Sequence, residues 1–142
     1  MQHRRHLRSH STRKLHRGSS VVEFAVVSPL LIMLTFGMME VGRGFMVKQL
    51  VINASREGAR MAVLPASDAN TVITKVQQDL AASSVSGAQV TISPAALSAA
   101  PAGTAVTVSI TVPAANVSWI PTPMFMLGKD VQAQTTMRRE SL

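Results

Sequence analysis

The chain has 142 residues and a formal net charge of +7, room for one compact domain and an appendage. Six of its bases (Arg4, Arg5, Arg8, Arg13, Lys14, Arg17) and all four His lie within residues 1–18, which hold no acid, while the rest carries eight bases against seven acids; the basicity therefore belongs to a leader, which argues against a nucleic-acid-binding fold. The chain has no Cys, and no His beyond residue 16, so disulfides, thiolate metal sites and the commonest catalytic bases are excluded from the body of the protein: the sequence predicts no enzyme, no catalytic residue, no metal site and no cofactor.

After the leader, Phe24 to Met39 is an uncharged run bounded by Glu23 and Glu40. As a helix its sixteen residues span about 24 Å, and adding Ser19 to Val22 brings the stretch to about 31 Å, enough to cross a bilayer with Glu23 included. Basic residues just before a span hold that end in the cytoplasm. The expected layout is a cytoplasmic leader at 1–18, a transmembrane helix half at 19–42 and an extracytoplasmic domain at 43–142, anchored as a single-pass membrane protein.

A secretory signal would show small residues at a cleavage site after the apolar run. That place reads "FGMMEVGRG" and continues a helical pattern. A processing site belongs before the run instead, at Gly18, the first glycine of the chain. Cutting there makes Ser19 the new terminus and Glu23 the fifth residue. An acid inside a membrane demands a partner, and cutting supplies an α-amine for it; the alternative is a Glu23 merely tolerated at the headgroup level. Pro29 removes one helical hydrogen bond and predicts a kink. Gly37, Gly42 and Gly44 either loosen the helix or allow close packing.

Beyond Glu40 the pattern turns amphipathic. Val47, Leu50, Val51, Ala54, Gly58 and Ala62 recur at three- and four-residue steps, with Lys48, Gln49, Asn53, Arg56, Glu57 and Arg60 largely opposite. Glu40/Arg43 and Glu57/Arg60 have the spacing of helix-surface ion pairs. The helix is expected over 43–64, ended by Pro65. Asp68 or Asn70 caps a second helix at 70–82 with a stripe of Val72, Ile73, Val76 and Leu80. Alternation predicts strands near 89–93, 105–113 and 130–139, the clearest being "AVTVSITVP". The stretch "SPAALSAAPAGTA" reads as a flexible exposed loop. The apolar segment Trp119 to Leu127 is either core beneath the sheet or a partner surface, core being preferred. One apolar face per strand gives an α+β fold: a long N-terminal transmembrane and amphipathic helix packed on a second helix and a small antiparallel sheet of about three strands.

Gly18 followed by "SSVVEF" resembles the type IV prepilin processing motif. The longer "VVEFAVVSPLLIMLTFGMMEVGR" and then "NASREGARMAVL" are similar to the TadE-like family of minor pseudopilins of tight-adherence pili, most strongly over residues 17–64. The resemblance implies a pilin-like fold, cleavage between Gly18 and Ser19 by a prepilin peptidase, and a role for Glu23, with Phe24 beside it, in recruitment into a pilus for surface attachment. Its implied partners are that peptidase, other pilin and pseudopilin subunits, the assembly platform and inner-membrane lipid. The competing expectation is an unprocessed single-pass membrane protein with an extracytoplasmic binding domain.

Overall fold

The computed structural model describes residues 16–117 and 129–139. The chain divides into two compact units, one ending at Phe36 and the other starting at Gly37. The first helix, α1 (His16–Ala62), contributes to both. Up to Phe36 its apolar side chains are exposed, and Pro29 lies inside it with helical residues on both sides. The missing N–H of Pro29 leaves the carbonyl of Ala25 without its helical donor. At Thr35 the side chain turns back on the helix, its hydroxyl donating to the Leu31 carbonyl at 2.8 Å.

The second unit is the predicted α+β arrangement. α2 (Ala69–Ala82) starts at Asp68, whose carboxylate accepts from the Thr71 amide at 3.0 Å. That bond satisfies one of the orphan donors of a helix start. The strands β1 (Gln89–Ser93), β2 (Ala105–Val112) and β3 (Val131–Arg138) form one antiparallel meander in the order β1-β2-β3. Val90 faces Ile110, and Ile110 faces Ala133; Ile92 faces Val108, and Val108 faces Thr135. Because side chains alternate along a strand, this register puts Val106, Val108, Ile110 and Val112 on one face, and all four are fully buried. The opposite face carries Thr, Ser and Gln: Thr91, Ser109 and Gln134 stand in one row, Ser93, Thr107 and Thr136 in the next.

The core joins that strand face to Val47, Val51, Ala59 and Ala62 of α1 and to Val72, Val76 and Leu80 of α2. Both apolar stripes expected from the sequence face inward, with Leu50, Ala54 and Ile73 at the half-buried margin. Gly58 marks a close approach of α1 to α2 and the sheet. A Cβ there would lie 2.9 Å from Val76 Cγ2 and 3.3 Å from Val108 Cγ1, so a side chain at this position would force its neighbours to shift. Buried Ser55 links α1 to β3 by a 2.8 Å hydroxyl contact with Thr135 and also donates to the Ile52 carbonyl.

Four expectations need correction. Helix α1 stops at Ala62 and not at 64, because the residue before a proline is pushed out of helical geometry; the Ser67 hydroxyl closes the end by donating to the Met61 carbonyl at 2.6 Å. Strand β2 ends at Val112 and not at 113, since Pro113 has no N–H for the ladder and leads into the short 3-10 turn Ala114–Asn116. The Ala- and Pro-rich connection is not an exposed loop throughout. It contains a 3-10 turn, Leu97–Ala99, whose Leu97 is buried in the core, and Arg139 ties it down by donating to the Leu97 carbonyl and to that of Thr104. Finally, Glu40 and Arg43 are buried, at 3% and 9% exposure, and do not form a solvated surface pair. The segment Trp119–Leu127, expected to be core, lies outside the described residues.

Candidate processing and assembly site

Gly18, Ser19, Glu23 and Phe24 lie in the first turns of α1, and all are exposed. Space does not explain the glycine: a Cβ at Gly18 would meet nothing within 4 Å. No packing among the described residues therefore requires glycine at this position. Ser19 and Glu23 are one helical turn apart and share a face. The Ser19 hydroxyl points to the Glu23 carboxylate, donating to Oε1 at 3.4 Å. Phe24 is 69% exposed. Pro29 follows on the same helix, five residues after Phe24.

From Val21 to Met46, sixteen large apolar side chains are exposed among the described residues. This stretch belongs to a single helix long and apolar enough to cross a membrane, and almost none of its apolar window is buried within the protein. Among the described residues no group of His, Asp and Glu is arranged to hold a metal ion.

Sequence reasoning overlooked the anchor point at Arg43. Its guanidinium reaches from α1 to two distant carbonyls, donating to Ser84 at 2.8 Å and to Val117 at 3.4 Å. A third N–H approaches the Met46 sulfur at 3.6 Å. Ser84 lies just beyond the C-terminal end of α2, in a left-handed conformation with φ 60°. The carbonyls past a helix end lack helical donors, and a planar guanidinium with several fixed N–H groups suits two of them at once. Among the described residues no buried side-chain polar atom is left without a partner, so the burial of Glu40 and Arg43 is compensated. The spacing Glu40-x-x-Arg43 was visible in the sequence; the distant acceptors were not.

The charged cluster further along α1 divides by face. Arg56, Glu57 and Arg60 are exposed, whereas Gly58 and Ala59 between them are buried against α2 and the sheet. The two outer glycines of the earlier cluster, Gly37 and Gly44, are buried, while Gly42 faces open space. The helix continues through all three.

Residues 18–60 match the model of a family described as TadE-like protein. The match begins at Gly18, runs through the exposed apolar helix and ends within two residues of the end of α1. The similarity is confined to this segment; α2 and the sheet lie outside it. No curated protein and no solved structure matches the chain.

Proposed function

We propose that this chain, TadE-like over residues 18–60, is a minor pseudopilin of a tight-adherence pilus, made as a membrane-held precursor and trimmed after Gly18 before it joins a filament used for surface attachment. The family match over the first helix carries this reading, and it supports association with a pilus and its components. The exposed apolar helix fits a single-pass anchor. In the proposed sequence of events the basic leader stays in the cytoplasm. A prepilin peptidase removes residues 1–18, and the extracytoplasmic unit follows the helix out of the bilayer during assembly.

Glu23 then acts as the guide. Trimming turns Ser19 into a terminal residue bearing an α-amine, one helical turn from its own Glu23 on the same face. Before assembly that intramolecular pair lowers the cost of an acid in hydrocarbon. In the filament, the amine of a neighbouring subunit competes for the same carboxylate and sets the register between helices. Desolvated pairs of this kind specify geometry more than they add stability. Exposed Phe24 packs beside the pair, and Pro29 gives the helix a bend that lipid-facing neighbours accommodate.

The test is co-expression of the full chain with a prepilin peptidase, followed by intact-mass analysis. The expected mature chain begins at Ser19, and replacement of Gly18 by a bulky residue leaves the precursor whole. A mature terminus elsewhere, or an uncut chain beside an active peptidase, supports the competing reading of a permanently anchored protein. Glu23→Gln should be trimmed normally yet be depleted from purified filaments.

A further inference from the structure

The second unit carries an open recess of about 320 Å³ between α1 and the chain entering β3, lined by Val41, Phe45, Lys48, Lys129 and Asp130 among others. We infer that this recess binds one acidic phospholipid, with its phosphate between Lys48 and Lys129 and an acyl chain along Val41 and Phe45. The inference rests on the reading of Phe24–Met39 as a membrane span.

The arrangement follows from helix geometry. Met38, Val41, Phe45 and Lys48 succeed one another at steps of three, four and three, so they descend a single face of α1. All four are exposed. Apolar surface thus runs from the end of the span directly to a cation. An ammonium at that depth is where a long side chain reaches the headgroup layer while its stem remains on apolar surface. Lys48 is held there because its Nζ donates to the Gln132 carbonyl, which leaves two of its three N–H groups for a ligand. Lys129, exposed on the opposite rim, supplies a second cation. The one acid of the lining, Asp130, already accepts from the Ala114 amide at 3.2 Å, and the rim keeps a net positive charge. A small soluble anion would leave the aromatic and aliphatic floor uncovered; a tailed phosphate covers both parts.

The experiment inserts the full chain into vesicles of phosphatidylcholine mixed with phosphatidylglycerol, releases it in mild detergent and counts retained lipids by native mass spectrometry. One phosphatidylglycerol per chain is expected in preference to phosphatidylcholine. The double variant K48Q/K129Q should lower that retention about tenfold to thirtyfold, at about threefold to fivefold per cation removed, while Lys75→Gln on α2 leaves it unchanged. Equal retention of both lipids, or retention untouched in the double variant, overturns the site. So does a photo-crosslinker at residue 45 that captures a second copy of the chain in place of lipid. Failure of the parent chain to enter any vesicle overturns the anchor reading and the site with it, an outcome distinct from insertion without headgroup preference.

Discussion

Two glycines of α1 should respond to alanine in opposite directions. At Gly58 a new Cβ would sit 2.9 Å from Val76 Cγ2 and 3.3 Å from Val108 Cγ1. Neither neighbour yields easily. Val76 is β-branched within a helix, where one rotamer dominates, and Val108 is fully buried in the central strand. Overpacking of this kind costs about 1–3 kcal/mol, while alanine gains about 0.8–1.0 kcal/mol of helix propensity over glycine. The clash cancels or outweighs the gain, and Gly58→Ala should lose about 0–2 kcal/mol net. Gly42 is helical and exposed, with nothing within 4 Å of its added Cβ. Gly42→Ala therefore keeps the propensity gain alone, between zero and about 1 kcal/mol. Urea unfolding of the full chain in mild detergent, followed by circular dichroism, reads both changes. A double variant sharpens the test: Val76→Ala opens the space that the Gly58→Ala methyl needs, so the pair should be less destabilised than the two single changes added together, by about 1 kcal/mol. If Gly58→Ala stabilises as Gly42→Ala does, the close approach of α1 to α2 and the sheet is not as described.

The same assay checks two further sites. Arg43→Leu should cost about 2–4 kcal/mol, because it strips donors from the Ser84 and Val117 carbonyls in a buried setting; Arg43→Lys should recover less than half of that, since an ammonium cannot reproduce the guanidinium fork. Leu97→Ala should cost about 2–5 kcal/mol, the usual range for a buried leucine, and a loss below about 0.5 kcal/mol would mean that the β1–β2 connection is solvated after all.

Periodicity carries far where a residue repeats its environment. The four valine and isoleucine positions of β2 alternate without error, and the α2 stripe of Val72, Val76 and Leu80 is buried as its spacing requires. What escapes is the single residue with a nonlocal role. Leu97 is one apolar side chain in an Ala- and Pro-rich stretch, so no period announces that it is core. Arg43 forms a local pattern with Glu40, yet its acceptors lie 41 and 74 residues away along the chain. Local spacing is blind to both. The residues proposed for processing and assembly pose the reverse problem. Gly18, Ser19 and Glu23 stand out in the sequence, and the structure adds mainly the Ser19–Glu23 hydrogen bond, because the groups that would give them meaning belong to other molecules.

The exposed apolar stretch of α1 bears on what a charge would do there in the proposed function. Burying a large apolar side chain is worth roughly 1.5–3 kcal/mol, and sixteen such side chains are about half exposed or more between Val21 and Met46 among the described residues. Leaving them in water would cost on the order of 20 kcal/mol, more than a domain's whole net stability. This surface must therefore be covered by something outside the chain. Lipid covers it as well as the helices of neighbouring subunits do, since acyl tails are as apolar as leucine. Hydrophobic burial consequently gives no net drive from bilayer to filament. The choice falls to the few groups that distinguish the two surroundings: a carboxylate that gains from a fixed cation, and small residues that let helices approach closely. Glu23 is the only acid between the leader and Glu40, so in the proposed function it carries most of that discrimination. Glu23→Gln should then leave membrane insertion intact while removing the preference for the filament, and filaments as rich in that variant as in the parent would refute the argument.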